Sequence, residues 1–138
     1  MRAAVQREYG PPSVLSVAEV PKPEPGDGEL LVEVHATTVN RTDCGFRAAS
    51  PPIVRLFAGL RRPKRPTLGN EFAGVVVETS PSVTRFAVGE RICGDVEGPV
   101  GGPAVYLSGL ENASLAPSPG PVCDAVGAAC SAGSRWAL

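Results

Sequence analysis

The sequence contains one histidine and four cysteines among its 138 residues, and no two cysteines form a Cys-x-x-Cys pair. Zinc ribbons and dithiol redox centres usually need such pairs, so both are excluded. No apolar run approaches the ~20 residues of a membrane-spanning helix, and the first residues lack the apolar segment of a secretory signal. These absences predict a cytoplasmic protein whose thiols are reduced.

Net charge is also nearly absent, at −1 with histidine neutral. A protein that binds nucleic acid or an anionic membrane through its overall field needs a clear positive excess. We therefore expect neither partner. Only three charged residues follow residue 98, namely Glu111, Asp124 and Arg135, so the composition changes there.

Glycine and proline are abundant, with 16 and 15 residues. Together with short apolar runs, this punctuation predicts many short strands joined by tight turns. A loop or helical turn is expected over 40–49 and an excursion bounded by prolines over 50–66. The predicted strands are 1–8, 14–20, 29–39, 68–78, 104–107 and 114–117. Residues 86–94 are predicted to enter a further strand through a turn, in which Gly89 takes a positive φ and Glu90 and Arg91 follow it.

The predicted strand 29–39 has the clearest alternation. Leu30 and Val32 fall on one face, and Leu31, Glu33 and His35 fall on the other. The only histidine is therefore predicted on a polar face. A solvated strand residue is a better interpretation of His35 than a general base or a metal ligand.

Cations are concentrated in the excursion, where Arg55 is followed by the run Arg61-Arg62-Pro63-Lys64-Arg65. Such a cluster can meet a phosphate or an acidic substrate, but it is more often a solvated face. The solvated face is the preferred interpretation.

Three patterns follow one another along the chain: Val39-Asn40-Arg41-Thr42-Asp43, Gly69-Asn70-Glu71-x-x-Gly74, and Val88-Gly89-Glu90-Arg91. With the opening Tyr9-Gly10-Pro11-Pro12, this set resembles the N-terminal catalytic domain of the medium-chain dehydrogenase/reductase superfamily, the alcohol dehydrogenase and quinone reductase group. The resemblance implies a mainly β fold, a GroES-like, partly open β-barrel with a few short helices. It covers residues 1–119, and 120–138 are predicted to be a poorly packed or aberrant tail.

Zinc-dependent members of that family carry Cys-His-Thr-Asp and Gly-His-Glu at the first two patterns. Here Asn40 and Asn70 take the positions of the metal ligands. Neutral amides are poor replacements for a thiolate and an imidazole at zinc. The resemblance is therefore to the zinc-free, quinone-reductase-like branch, and no metal is expected.

Glu71 poses a separate question, because a carboxylate on a buried strand needs a cation or several hydrogen-bond donors. Arg41 is one candidate partner, and backbone N–H groups near the glycines are the other. We expect a polar network on the floor of a cleft for substrate and cofactor, although the same residues could merely satisfy strand ends and turns. The candidate cleft residues are Asn40, Arg41, Thr42, Asp43, Phe46, Asn70 and Glu71.

The resemblance implies hydride transfer from NADPH or NADH to a small-molecule electron acceptor, a quinone, an enone or a related carbonyl compound. No G-x-G-x-x-G fingerprint for a dinucleotide occurs in the chain. We therefore expect a truncated chain that is inactive alone. The alternative is a non-catalytic GroES-like barrel that binds a ligand or partner, and a homodimer or partner could cover the exposed cleft.

Overall fold

The computed structural model describes residues 1–64, 66–67, 69, 71–95 and 104–118. Strands dominate these residues, and two short helices lie between the third and fourth strands. The strands are β1 (Arg2–Gln6), β2 (Leu15–Glu19), β3 (Glu29–Thr37), β4 (Glu71–Thr79), β5 (Arg91–Asp95), β6 (Tyr106–Leu110) and β7 (Ser114–Pro117), and the helices are α1 (Arg41–Ala48) and α2 (Val54–Ala58).

The strands form two antiparallel sheets. Five strands pair in the order β6-β3-β4-β5-β7, and β1 pairs with β2 in a separate hairpin. Single bridges from Ala3 to Ala104 and from Val5 to Thr67 attach the hairpin to the rest of the domain. The mainly β prediction is confirmed, and the described strands do not close into a complete barrel.

A layer of apolar side chains covers one face of the five-stranded sheet. Phe72 on β4 is the largest fully buried side chain in this cluster. It fixes β4 against its neighbours, and β4 begins with Glu71. The buried members of the cluster are Leu30, Val32, Phe72, Val76, Phe86, Ile92, Leu107 and Leu115.

The predicted alternation of β3 is wrong at Leu31, which is fully buried rather than on the polar face. Register shifts between Leu31 and Val32 and between Val34 and Ala36 interrupt the two-residue period. His35 is the extra residue at the second shift and is exposed, as predicted. A bulge of this kind leaves one residue outside the regular pairing and redirects its side chain.

Several predicted boundaries move for identifiable reasons. β5 begins at Arg91, at the end of the predicted turn, and Gly89 in that turn has φ +89°. That positive φ was expected from the sequence. Gly69 also has φ +89°, so a regular strand starts only after it. Helix α2 was not predicted, and the tail 120–138 lies outside the described residues.

Candidate functional site

The first motif forms the N-terminus of α1. Asn40 is the N-cap residue, and its Oδ1 accepts a hydrogen bond from the Asp43 backbone N–H at 3.1 Å. In return, Asp43 Oδ2 accepts one from the Asn40 backbone N–H at 2.9 Å. This reciprocal capping box satisfies two donors that a helix start leaves open. Asn40 therefore has a structural role, which the sequence left as an alternative to the functional one.

Removing this cap should destabilise the protein. We expect Asn40→Ala to lower the free energy of unfolding by about 1 kcal/mol, because the Asp43 N–H loses its acceptor. Asn40→Ser should stay within a few tenths of a kcal/mol of the original protein, since serine is an equally good N-cap. Urea denaturation followed by circular dichroism measures both. Equal losses in the two variants would contradict the capping role.

Asp43 also connects α1 to the second motif. Its side chain is only 7% exposed, and the Gly69 backbone N–H hydrogen-bonds to its carboxylate. Glu71 and Asp95 are also buried and lie close enough to act on it electrostatically. Burial raises the pKa of Asp43 above its ordinary value. The Glu71 and Asp95 carboxylates raise this pKa further, whereas the hydrogen bonds from Asn40 and Gly69 lower it.

This raised pKa has a definite sign for stability. Between the ordinary pKa and the raised one, the folded protein holds a proton that the unfolded chain releases. The contribution of Asp43 to stability is therefore greatest in acid and is lost as the pH rises through the folded-state pKa. Asp43→Asn keeps an oxygen acceptor for the cap and cannot ionise.

Because Asp43→Asn has no proton to release, we expect its unfolding free energy to decrease less between pH 4 and pH 7 than that of the original protein. Denaturant unfolding at several pH values tests this, with the exposed Glu24→Gln as a control for the loss of one carboxylate. A profile that Asp43→Asn steepens or leaves unaltered would contradict the assignment.

Glu71 is stabilised by threonines rather than by arginine. Its carboxylate Oε2 accepts a short hydrogen bond from the Thr38 hydroxyl, and its backbone carbonyl accepts one from the Thr37 hydroxyl at 2.8 Å. Arg41 is exposed and forms no ion pair with Glu71 in the structure. The suggested Arg41–Glu71 pair is therefore not formed. A cation or backbone N–H groups were the predicted partners of Glu71, and these hydroxyl groups were not predicted.

The other candidate residues are divided between surface and interior. Thr42 is exposed at the start of α1, and Phe46 is half-buried further along the helix. Asn70 lies outside the described residues. Sequence reasoning missed Thr38 and also Asp95, which pairs with Glu71 across β4 and β5. The only sequence signal for Thr38 and Asp95 is that each is a polar residue at the end of a predicted strand.

A small cavity lies beside the cap. It has a volume of about 150 Å³ and is lined in part by Leu15, Val39, Asp43, Cys44 and Arg47. Binding pockets for drug-sized ligands usually enclose about 300–1,000 Å³, so this cavity alone does not enclose such a ligand. It gives the Asp43 region one apolar wall and one cationic side chain.

A larger depression of about 420 Å³ lies elsewhere, around the hairpin and the β3 bulge. Arg2, Val17, His35 and Val105 contribute to its lining. None of the three sequence motifs contributes to it. The cap region and this depression are therefore distinct features of the surface.

Zinc does not fit the donor set at the first motif. Asn40 Oδ1 is held by the helix backbone, and an amide oxygen is a hard, neutral ligand that zinc disfavours against thiolate or imidazole. Over the described residues, no group of three histidine, cysteine, aspartate or glutamate side chains is arranged to hold a metal ion.

No described helix has the length and apolar character needed to cross a membrane.

Residues 26–131 match the family described as the alcohol dehydrogenase GroES-like domain. The chain therefore belongs to this family, in the medium-chain dehydrogenase/reductase superfamily. Among its curated relatives, an alcohol dehydrogenase of Rhizobium meliloti (strain 1021) is 38% identical over 93 residues. That alignment covers 67% of this chain and 24% of the enzyme.

Solved structures agree with this assignment. The quinone oxidoreductase from Coxiella burnetii superposes with a TM-score of 0.82 at 24% identity, over 93% of this chain and 40% of that one, which concerns the fold alone. A mycobacterial protein solved in complex with NADPH gives a TM-score of 0.75 at 30% identity, over 93% and 37% of the two chains. The chain thus spans 24% of the Rhizobium enzyme and 37–40% of these two structures.

Proposed function

We propose that this chain supplies the catalytic-domain part of a zinc-independent oxidoreductase that transfers hydride from NADPH or NADH to a quinone, an enone or a related carbonyl compound. One observation carries the proposal. Asp43 accepts hydrogen bonds from both Asn40 and Gly69, so two motifs that are far apart in the sequence meet at one place in this family's fold.

The residues at this meeting point suit the orientation of an acceptor oxygen. Asn40 Oδ1 is held by the cap, and we propose that the amide Nδ2 group of the same side chain donates to the acceptor oxygen. Thr42 is exposed two residues further along the chain, and its hydroxyl can also donate. Donors fixed in advance stabilise negative charge that develops on an oxygen when a carbonyl or quinone is reduced.

A bound nicotinamide cofactor would supply the hydride, and the protein would hold the acceptor in register with it. The reduced oxygen then takes its proton from water or from a neighbouring hydroxyl. Neither step calls for a metal at Asn40. The solved relative with NADPH supports the choice of cofactor.

No dinucleotide fingerprint occurs in these 138 residues, so we propose that activity requires a nucleotide-binding domain in addition to them. The exposed thiol of Cys44 is not in a disulfide, which supports a reducing compartment, for which we propose the cytoplasm.

The test fuses the complete chain to the nucleotide-binding domain of the mycobacterial relative and follows NADPH oxidation at 340 nm with 1,4-benzoquinone as acceptor. We expect turnover by the fusion, none by the unfused chain, and no loss after treatment with 1,10-phenanthroline. The Asn40→Ser fusion, which keeps the cap, should lose about tenfold in kcat/KM.

A fusion that binds NADPH but reduces no quinone, enone or aldehyde would contradict the proposal. That outcome would favour the non-catalytic alternative, a barrel that binds a ligand or partner. Inhibition by the chelator with stoichiometric zinc in the purified protein would contradict the zinc-independent mechanism.

A further inference from the structure

Helix α2 directs its bulky side chains outward. Ile53, Leu56 and Phe57 are 58%, 68% and 73% exposed, while Val54 is half-buried and Ala58 is buried. A helix on a globular protein normally buries its large apolar stripe and exposes polar residues. Leu60, just after the helix, adds a fourth large apolar side chain at 69% exposure.

The chain segment that carries this apolar surface is basic and contains no acidic residue. Residues 44–70 contain no aspartate or glutamate, and Arg55, Arg61, Arg62 and Lys64 are all exposed. In the described part of the chain, none of these four cations forms an ion pair. We call the combined surface the basic apolar patch; it consists of Ile53, Arg55, Leu56, Phe57, Leu60, Arg61, Arg62 and Lys64.

The backbone holds this patch in one arrangement. The Gly59 N–H donates to the Arg55 carbonyl at 3.0 Å, and the Lys64 N–H donates to the Ala58 carbonyl at 2.8 Å. The Tyr9 hydroxyl anchors the turn by donating to the Gly59 carbonyl at 2.7 Å, and the Arg55 guanidinium lies 5.3 Å from the Tyr9 ring centre. These contacts hold the turn that carries Arg61, Arg62 and Lys64 next to the C-terminal end of α2.

We propose that the basic apolar patch docks on the surface of an anionic phospholipid membrane. Exposed leucine, isoleucine and phenylalanine insert among lipid headgroups and chains, and lysine and arginine beside them attract anionic lipids. Nucleic acid would bind the cations but would leave the apolar side chains exposed to water. The net charge of −1 led us to expect no membrane partner, but it averages over the chain and conceals this local positive field.

The experiment measures co-sedimentation of the complete chain with sucrose-loaded vesicles of phosphatidylcholine containing 0% or 40% phosphatidylserine. We expect binding that requires phosphatidylserine and weakens in 0.5 M NaCl. Replacing Arg61, Arg62 and Lys64 with glutamine should weaken it by about 100-fold, since each cation contributes about fivefold. Leu56→Ser with Phe57→Ser should weaken it by more than about tenfold.

Two controls separate the patch from general effects. Arg2→Gln with Arg7→Gln removes exposed cations elsewhere, and Val17→Ser removes an apolar side chain of 73% exposure on β2. Both should bind vesicles as the original chain does, and circular dichroism should show equal folding in every variant. Sedimentation velocity without vesicles reports self-association.

Binding that is equal with and without phosphatidylserine, or that is absent from both, would overturn the proposal. So would a chain that ignores vesicles but forms a dimer that Leu56→Ser with Phe57→Ser dissociates, because the patch would then join two copies. The measurement needs neither NADPH nor an acceptor, so its failure is distinguishable from failure of the proposed oxidoreductase function.

Discussion

Gly74→Ala is expected to lower the free energy of unfolding by about 3 kcal/mol or more, the largest effect of any single-methyl substitution that we predict. A Cβ at this position would collide with the Glu33 backbone carbonyl oxygen and would approach Val32 Cγ1 to 2.9 Å. Gly74 pairs with Val34 between the two longest strands, so neither backbone can move without breaking the β3–β4 ladder. Glycine is needed here for close approach, because its φ is not among the positive ones.

Gly26→Ala is the matched control. Its added Cβ would meet only the flexible Glu29 side chain, at 3.5 Å, on an exposed turn. We expect this variant to remain within about 0.5 kcal/mol of the original chain. Urea titration followed by circular dichroism compares the two variants, and a Gly74→Ala protein as stable as Gly26→Ala would contradict the packing described between β3 and β4.

Phe72→Ala is expected to cost about 3–5 kcal/mol, because it removes a fully buried aromatic ring from the main core. Phe72 follows Glu71 on β4 and lies opposite Thr37 on β3 and Gly94 on β5. Loosening the strand here should also disturb the Thr37 and Thr38 hydrogen bonds to Glu71. The same denaturant titration measures the loss of stability.

Phe57→Ala provides a control with the same change in side chain. Phe57 is 73% exposed on α2, so we expect its loss to change stability by no more than about 0.5 kcal/mol. A smaller loss for Phe72→Ala than for Phe57→Ala would contradict the core assignment.

The sequence predicted the structure best at a turn marked by glycine and at the three ordered motifs. Gly89 was predicted to need a positive φ, and the turn before β5 has it. The three motifs identified the family because their order and spacing are specific, even though each one alone is weak. Asp43 and Gly69, which share a hydrogen bond, belong to the first two motifs.

Other features depend on contacts between distant residues and were not predictable. The Thr38–Glu71 hydrogen bond requires the register of β3 against β4, which the bulge at His35 shifts. Leu31 is also fully buried, although it lies on the face of β3 that was predicted to be polar. Helix α2 was not predicted, because apolar residues at helical spacing normally mark a buried face and those of α2 are exposed. These residues were expected to belong to an excursion bounded by prolines.

A titration of the ¹⁵N-labelled complete chain with 1,4-naphthoquinone, followed by ¹H–¹⁵N correlation spectra, most directly tests whether α1 and β4 form an acceptor site without metal. We predict saturable shifts of the backbone amides of residues 40–43 and 71–73, unchanged by chelator. Asn40→Ser should keep its stability and bind the quinone about tenfold more weakly. Saturable shifts confined to the surroundings of His35, or equal quinone affinity in the original and Asn40→Ser proteins, would contradict the account.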